Sequence, residues 1–86
     1  MNIRLMVSGR GYQAAEGLPQ SLTLPEGCSL DEALKTLASL MPGNRGLDGS
    51  CLIAVSGTHQ GTVRSHRAHV LREGDELVVI APVAGG

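Results

Sequence analysis

The chain has 86 residues and a formal net charge of −1, a length that suits one domain and is too short for two. This near-neutral balance gives no electrostatic footprint for nucleic acid or an anionic membrane, and no apolar run approaches the roughly 18 residues of a membrane span. Apolar residues make up 42%, but Phe and Trp are absent and Tyr12 is the one aromatic, so the core has to be aliphatic.

The N-terminus carries no charged-then-apolar leader, so a soluble, cytoplasmic protein is expected, with Cys28 and Cys51 as reduced thiols. Asn2 to Val7 reads as a strand, because Ile3, Leu5 and Val7 alternate with Asn2, Arg4 and Met6. Ser8-Gly9-Arg10-Gly11 is turn material, and Gln13 to Leu18 is a connection of no fixed type. Gln20 to Leu24 alternates again, which predicts an antiparallel hairpin with the first strand.

Pro25-Glu26-Gly27-Cys28 ends that strand. Ser29-Leu30-Asp31-Glu32 is a capping-box pattern, in which the Ser29 hydroxyl accepts from the Glu32 amide and Glu32 reaches back. Asp31 and Glu32 also suit the positive end of a helix dipole. Leu30, Ala33, Leu34, Leu37, Ala38 and Met41 recur at helical spacing, so a helix over about 29–41 should bury one stripe in the core, and Pro42-Gly43 stops it. Cys28, just before that helix, is where a thiol gains some activation, although an incidental residue is the simpler reading. Asn44 to Ser50 is a polar loop. Cys51 to Val55 is expected as a central strand buried on both faces, with Cys51 a small core residue. Ser56 to Gly61 reads as a turn, Thr62-Val63 as a short strand and Ser65 to His69 as irregular. Gly74-Asp75 then turns the chain into a last apolar strand, Leu77 to Ile80.

His59, His66 and His69 have no Cys or carboxylate completing a ligand spacing, so surface histidines are expected and no metal site. No Gly-rich phosphate loop or nucleophile motif is present, and the body is too small for a deep pocket; an independent enzyme is not expected. Glu73, Asp75 and Glu76 form an acidic cluster before the last strand. It reads as a solvated turn or as a steering patch for a basic partner, with Arg64, Arg67 and Arg72 nearly cancelling its charge.

The remaining stretch is Pro82-Val83-Ala84-Gly85-Gly86. Pro82 donates no ladder hydrogen bond, so sheet pairing should end near it. From there the chain can extend roughly 15 Å, at about 3.3 Å per residue. Gly85 and Gly86 lack a Cβ and pass through a channel too narrow for other residues. The Gly86 α-carboxylate is unhindered, but a carboxylate is a poor electrophile and needs activation before it takes part in acyl chemistry. The expected organisation is a body over residues 1–81 and a flexible tail over 82–86.

The segment Leu71-Arg72-Glu73-Gly74-Asp75-Glu76-Leu77-Val78-Val79-Ile80-Ala81-Pro82-Val83-Ala84-Gly85-Gly86 resembles the C-terminus of the MoaD/ThiS sulfur-carrier family. That family's pattern is a leucine, a Gly-Asp turn, an acidic or polar residue, a hydrophobic strand, then Pro-Val-x-Gly-Gly. The resemblance implies an α+β, ubiquitin-like β-grasp fold, a mixed four- to five-stranded sheet on one main helix with the terminal strands side by side. It further implies a carrier that is not itself an enzyme. A ubiquitin-activating-type adenylyltransferase would use its own ATP to adenylate Gly86, and a sulfur donor would then leave a thiocarboxylate there. Gly85, Ala84, Val83 and Pro82 would place the tail in the partner, and this chain would bind no cofactor. The tail looks closest to the small subunit of molybdopterin synthase, which makes the large synthase subunit the expected acceptor and molybdenum cofactor biosynthesis the expected pathway. Ala81 stands where a second proline is common. Alternatives are a carrier for thiamin or cysteine biosynthesis, a ubiquitin-like modifier conjugated through Gly86, and an interaction module whose tail does no chemistry.

Overall fold

The structure, a computed structural model, describes residues 1–8, 20–40 and 49–81. In chain order the elements are β1 (Asn2–Ser8), β2 (Ser21–Thr23), α1 (Leu30–Leu40), β3 (Leu52–Val55), β4 (Thr58–Thr62) and β5 (Glu76–Ile80). They form one five-stranded sheet in the order β2-β1-β5-β3-β4. β1 and β5 are parallel, with Leu5 beside Leu77 and Val7 beside Val79, while the other neighbours are antiparallel. The first and last of these strands therefore lie side by side inside a mixed sheet that has, among the described residues, a single helix, which is the α+β, ubiquitin-like β-grasp arrangement.

Period-two alternation sets which residues face inward. Ile3 and Leu5 of β1, Leu22 of β2, Ile53 and Val55 of β3, and Leu77 and Val79 of β5 are buried. They join Leu30, Ala33, Leu34 and Leu37 of α1 in one aliphatic core, together with Cys51 and Leu71. The helix begins with the Ser29 half of its capping pattern: the Glu32 amide donates to Ser29 Oγ at 3.1 Å, and the Ala33 amide donates to the Ser29 carbonyl at 3.0 Å. Ser29 is the cap rather than a helical residue, which moves the start from 29 to Leu30. Met41, expected at the other end, lies outside the described residues. The segment before β5 is stitched to this helix start, since the Leu30 amide donates to the His69 carbonyl at 2.8 Å and the Leu71 amide to the Cys28 carbonyl at 2.9 Å.

Two sequence expectations are corrected on the β3–β4 side. The turn is only Ser56-Gly57, and Thr58–Thr62 is a full strand where a turn and a two-residue strand at 62–63 were expected. Ser56 and Gly57 both have positive φ, 48° and 86°, which gives the twist-matched two-residue hairpin loop. The polar strand Thr58-His59-Gln60-Gly61-Thr62 carries too little apolar alternation to be legible as a strand. β3 also lies second from the sheet edge and is buried on one face only, with Leu52 exposed and Ala54 half-buried on the other. After β4 the chain folds back on itself. The Arg67 amide donates to the Gln60 carbonyl at 2.9 Å and the Thr62 amide to the Ser65 carbonyl at 2.8 Å, covering what would be an open strand edge. Gly61 is required here, because a Cβ would collide with the Ser65 carbonyl oxygen. No helix among the described residues is long and apolar enough to cross a membrane.

Candidate functional site

The candidate reacting residue Gly86, and Pro82, Val83, Ala84 and Gly85 that lead to it, lie outside the described residues. The structure describes the base from which they extend. β5 pairs on both sides up to Ile80, which stands beside Ser8 of β1 and Leu52 of β3. One residue later the Ala81 amide donates to the Ser8 carbonyl at 2.8 Å, and Ala81 is 8% exposed. The strand is thus paired on two sides up to Ile80 and held to β1 at Ala81, and the missing N–H of Pro82 ends donation to the ladder. Leu77 and Val79 are fully buried beneath this base. Burying two such side chains contributes on the order of 3–6 kcal/mol in total, enough to make β5 a fixed platform.

The acidic cluster at the other end of β5 has a structural role for two of its three carboxylates. Asp75 accepts from the Arg72 amide at 2.8 Å with Oδ2, and from the Ser56 hydroxyl at 2.8 Å with Oδ1. Ser56 Oγ in turn accepts from the Glu76 amide at 3.2 Å. These bonds fasten the turn before β5 to the β3–β4 hairpin. Partial burial pushes the Asp75 carboxyl upward, but the Arg72 amide and the Ser56 hydroxyl, with the charges of His69 and Arg72, outweigh it and hold its pKa below the ordinary 3.8. Glu73 accepts from the Asn2 amide at 3.0 Å and ties the same turn to β1. Glu76 stands beside Arg4 on the outer face of the sheet.

The remaining candidates resolve into packing. Cys28 and Cys51 are both buried and form no disulfide with each other. Burial, then the nearby Glu32, pushes the Cys28 thiol above its usual range, so the helix start does not activate it. His66 is not a surface histidine: its side chain is 11% exposed. Its Nδ1 lies 3.0 Å from the carbonyls of Thr62 and Val63, and its Nε2 lies 3.5 Å from Asp31, which also pairs with Lys35 at 3.1 Å. With Nδ1 facing two carbonyl oxygens, that nitrogen is the one that carries the proton. His66 therefore joins the loop after β4 to α1 and borders a shallow cavity of about 150 Å³ beside Leu34 and Val63. His59 is exposed on β4, and the His69 carbonyl belongs to the helix stitch. Among the described residues, no group of three His, Cys, Asp or Glu comes together to hold a metal ion.

One feature of the site was missed by sequence reasoning. On the sheet face away from α1, Met6 lies beside Val78, Val78 beside Ala54, and Ile80 beside Leu52. Met6, Leu52 and Ile80 are 54%, 42% and 41% exposed, an apolar stripe across three strands at the end where β5 leaves the sheet. The signal was in the sequence: Leu77 to Ile80 is apolar at every position, and Met6 and Leu52 occupy positions at which alternation would place polar residues.

Comparison with known proteins gives one family. The model described as ThiS family matches residues 8–86, from the end of β1 through the terminal dipeptide. No curated protein matches the chain.

Proposed function

This chain belongs to the ThiS family of small ubiquitin-like sulfur carriers, which work with an activating enzyme and a sulfur-acceptor enzyme, and on that premise we propose that Gly86 is the atom-carrying residue. In the reaction, a Gly86 carboxylate oxygen attacks the α-phosphorus of ATP held by the activating adenylyltransferase. Pyrophosphate leaves and a mixed carboxylic–phosphoric anhydride remains. Hydrosulfide from the sulfur donor then adds to the Gly86 carbonyl carbon, AMP departs and the S–H proton is lost to solvent, leaving a C–S⁻ thiocarboxylate in place of C–O⁻. The sulfur is given up to an acceptor in a second protein.

The chain supplies the acyl group and its presentation, while the partner supplies the nucleotide. Residues 1–81 act as the body and 82–86 as the tail. Gly85 and Gly86 give clearance at the partner's reacting centre, and Pro82, Val83 and Ala84 set the direction of approach. The observation that carries this reading is the family match running through Gly86 from a strand pinned up to Ala81. Within the carrier role, Pro82-Val83-Ala84-Gly85-Gly86 following Gly74-Asp75-Glu76 supports molybdopterin synthesis, with the large synthase subunit as acceptor. The test of the chemistry is incubation with activating enzyme, ATP and a sulfur donor, followed by fragment mass spectrometry of the tail. Sulfur at Gly86 is expected, and an unmodified terminus refutes the proposal. Transfer assays with molybdopterin-precursor and thiazole-forming acceptor enzymes then separate the pathways.

A further inference from the structure

We propose that the guanidinium of Arg64 is a binding site for the chain's own terminal carboxylate, so that in the free carrier the tail over residues 82–86 is drawn back across the start of β3. The contact needs only the Gly86 carboxylate. Its consequence for charging rests on the proposed activation of Gly86. Position, seating and charge each point to it.

Position comes from the register. β3 and β5 are antiparallel with Leu52 beside Ile80, so one step further Cys51 stands level with Ala81, from which the tail starts. The chain after β4 runs along the same stretch. The Val63 amide donates to the Cys51 carbonyl at 3.0 Å, and the Arg64 amide to the Gly49 carbonyl at 2.9 Å. Arg64 is therefore two strand spacings from β5, about 10 Å, at the end of the sheet where β5 leaves it. Residues 82–86 span roughly 15 Å when extended, so the terminus reaches it.

The seat is Gly49. A Cβ built there would come within 2.9 Å of Arg64 Nε and 3.1 Å of one Nη, so the guanidinium lies flat against the Gly49 backbone. Gly49 is not among the glycines with positive φ, and the missing side chain serves this close approach instead. The arginine is thus held at the end of β3.

Charge selects the occupant. Arg64 is exposed, and the ion pairs among the described residues are those of Lys35 and His66 with Asp31, so none of the described carboxylates meets this guanidinium. The tail carries one acidic group, the Gly86 carboxylate. A planar guanidinium takes a carboxylate through two parallel hydrogen bonds, and Gly85 and Gly86 let the backbone turn toward it. The rival is Asp48, next to Gly49 in the chain and outside the described residues. Activation of Gly86 then requires release of the pair, so Arg64 tunes charging without entering its chemistry.

The test is shift mapping of backbone amides and the Arg64 Nε–H by nuclear magnetic resonance at low salt. It uses the isotopically labelled full chain, the chain lacking Gly85 and Gly86, and the Arg64→Gln and Asp48→Asn variants. Removing Gly85 and Gly86 is expected to move the Arg64 Nε–H signal. Salt at about 1 M, which shortens the screening length to about 3 Å, is expected to move it the same way. Arg64→Gln is expected to move the Gly85 and Gly86 amides. Truncation leaves the body unaltered, so that arm decides the contact even if Arg64→Gln does not fold. In ATP–pyrophosphate exchange with the activating enzyme from the same organism, Arg64→Gln is expected to half-saturate at a carrier concentration about two- to fivefold lower, with the saturated rate unchanged. That is the factor by which an exposed arginine–carboxylate pair depletes the competent fraction. An Arg64 signal that ignores truncation, or that follows Asp48→Asn instead, overturns the assignment. So does a truncation effect that fades on dilution, which would put the terminus of a second copy on Arg64. Unchanged or higher half-saturation for Arg64→Gln overturns the effect on charging alone. Absence of exchange with the wild-type chain removes the activation of Gly86 and that effect with it, while the Arg64 signal still decides the contact.

Discussion

Replacing Asp75 with Ala removes two hydrogen bonds of 2.8 Å, one from the Arg72 amide and one from the Ser56 hydroxyl. Each is made to a carboxylate, but both ends reach solvent, so water replaces part of what is lost. Two bonds at the lower part of the usual 0.5–1.5 kcal/mol range give a cost of about 1–2 kcal/mol. For a domain of this size that lowers the melting temperature by roughly 5–15 °C. The sign of the pH dependence follows from the lowered Asp75 pKa. The stabilisation is fully present above the carboxyl's ordinary 3.8 and is lost as pH falls below it through the folded-state value. The wild type and Asp75→Ala should therefore differ at neutral pH and converge in acid. Asp75→Asn keeps one acceptor oxygen, so it should lose about half as much and lack this part of the acid limb. Urea denaturation from neutral pH down to about pH 2, with Ser56→Ala as partner in a double-mutant cycle, reads all of these. A neutral-pH cost below about 0.5 kcal/mol, which is ordinary for a surface substitution, or simple additivity of Asp75→Ala and Ser56→Ala, would refute the proposed fastening of the turn to the hairpin.

Ser29→Ala removes the acceptor for the Glu32 amide and should cost about 1 kcal/mol in denaturant unfolding, with Ser29→Asp restoring most of it. Gly61→Ala brings a methyl group against the Ser65 carbonyl at a φ of 121°. It should cost about 2 kcal/mol or more and raise amide exchange across Thr62 to Arg67, whereas unchanged stability would show that the fold-back yields freely. Leu77→Ala opens a void beneath β5 at a fully buried position and should cost about 2–5 kcal/mol, seen as a lower urea midpoint. Adding one residue after Gly86 should leave the melting temperature unchanged and abolish charging; retained charging would move the reacting group away from the Gly86 carboxylate.

The parts of this protein that alternate were legible before the structure. Ile3 and Leu5, Leu22 and Leu24, and the stripe Leu30-Ala33-Leu34-Leu37 fall where period two and period 3.6 place them, and each is buried. β4 was not legible, because a strand held by backbone pairing and a bulge near Gln60 needs no apolar alternation. The depth of β3 was misjudged because its outer residues, Leu52 and Ala54, are apolar in a position that the fold leaves open. The burial of His66 is not legible in the sequence, because it depends on the turn after Gly61 and on Asp31, 35 positions earlier in the chain. At the candidate site, Gly85 and Gly86 are read from residue type alone and lie outside the described residues. The Asp75–Ser56 link and the apolar outer face were not legible, since both depend on which strands become neighbours.

The central claim is that Gly86 carries sulfur. Fragment-level mass spectrometry of the protein purified from its own cells tests it most directly, reading whether the terminal peptide has exchanged oxygen for sulfur. The modification has to be localised, because oxidation of Met1, Met6, Met41 or a cysteine adds nearly the same mass. Sulfur confined to Gly86, and trapped by an alkylating reagent as an S-alkyl thioester that methionine sulfoxide does not form, is the expected result. A terminus that remains a carboxylate, even after incubation with activating enzyme, ATP and a sulfur donor, would contradict it.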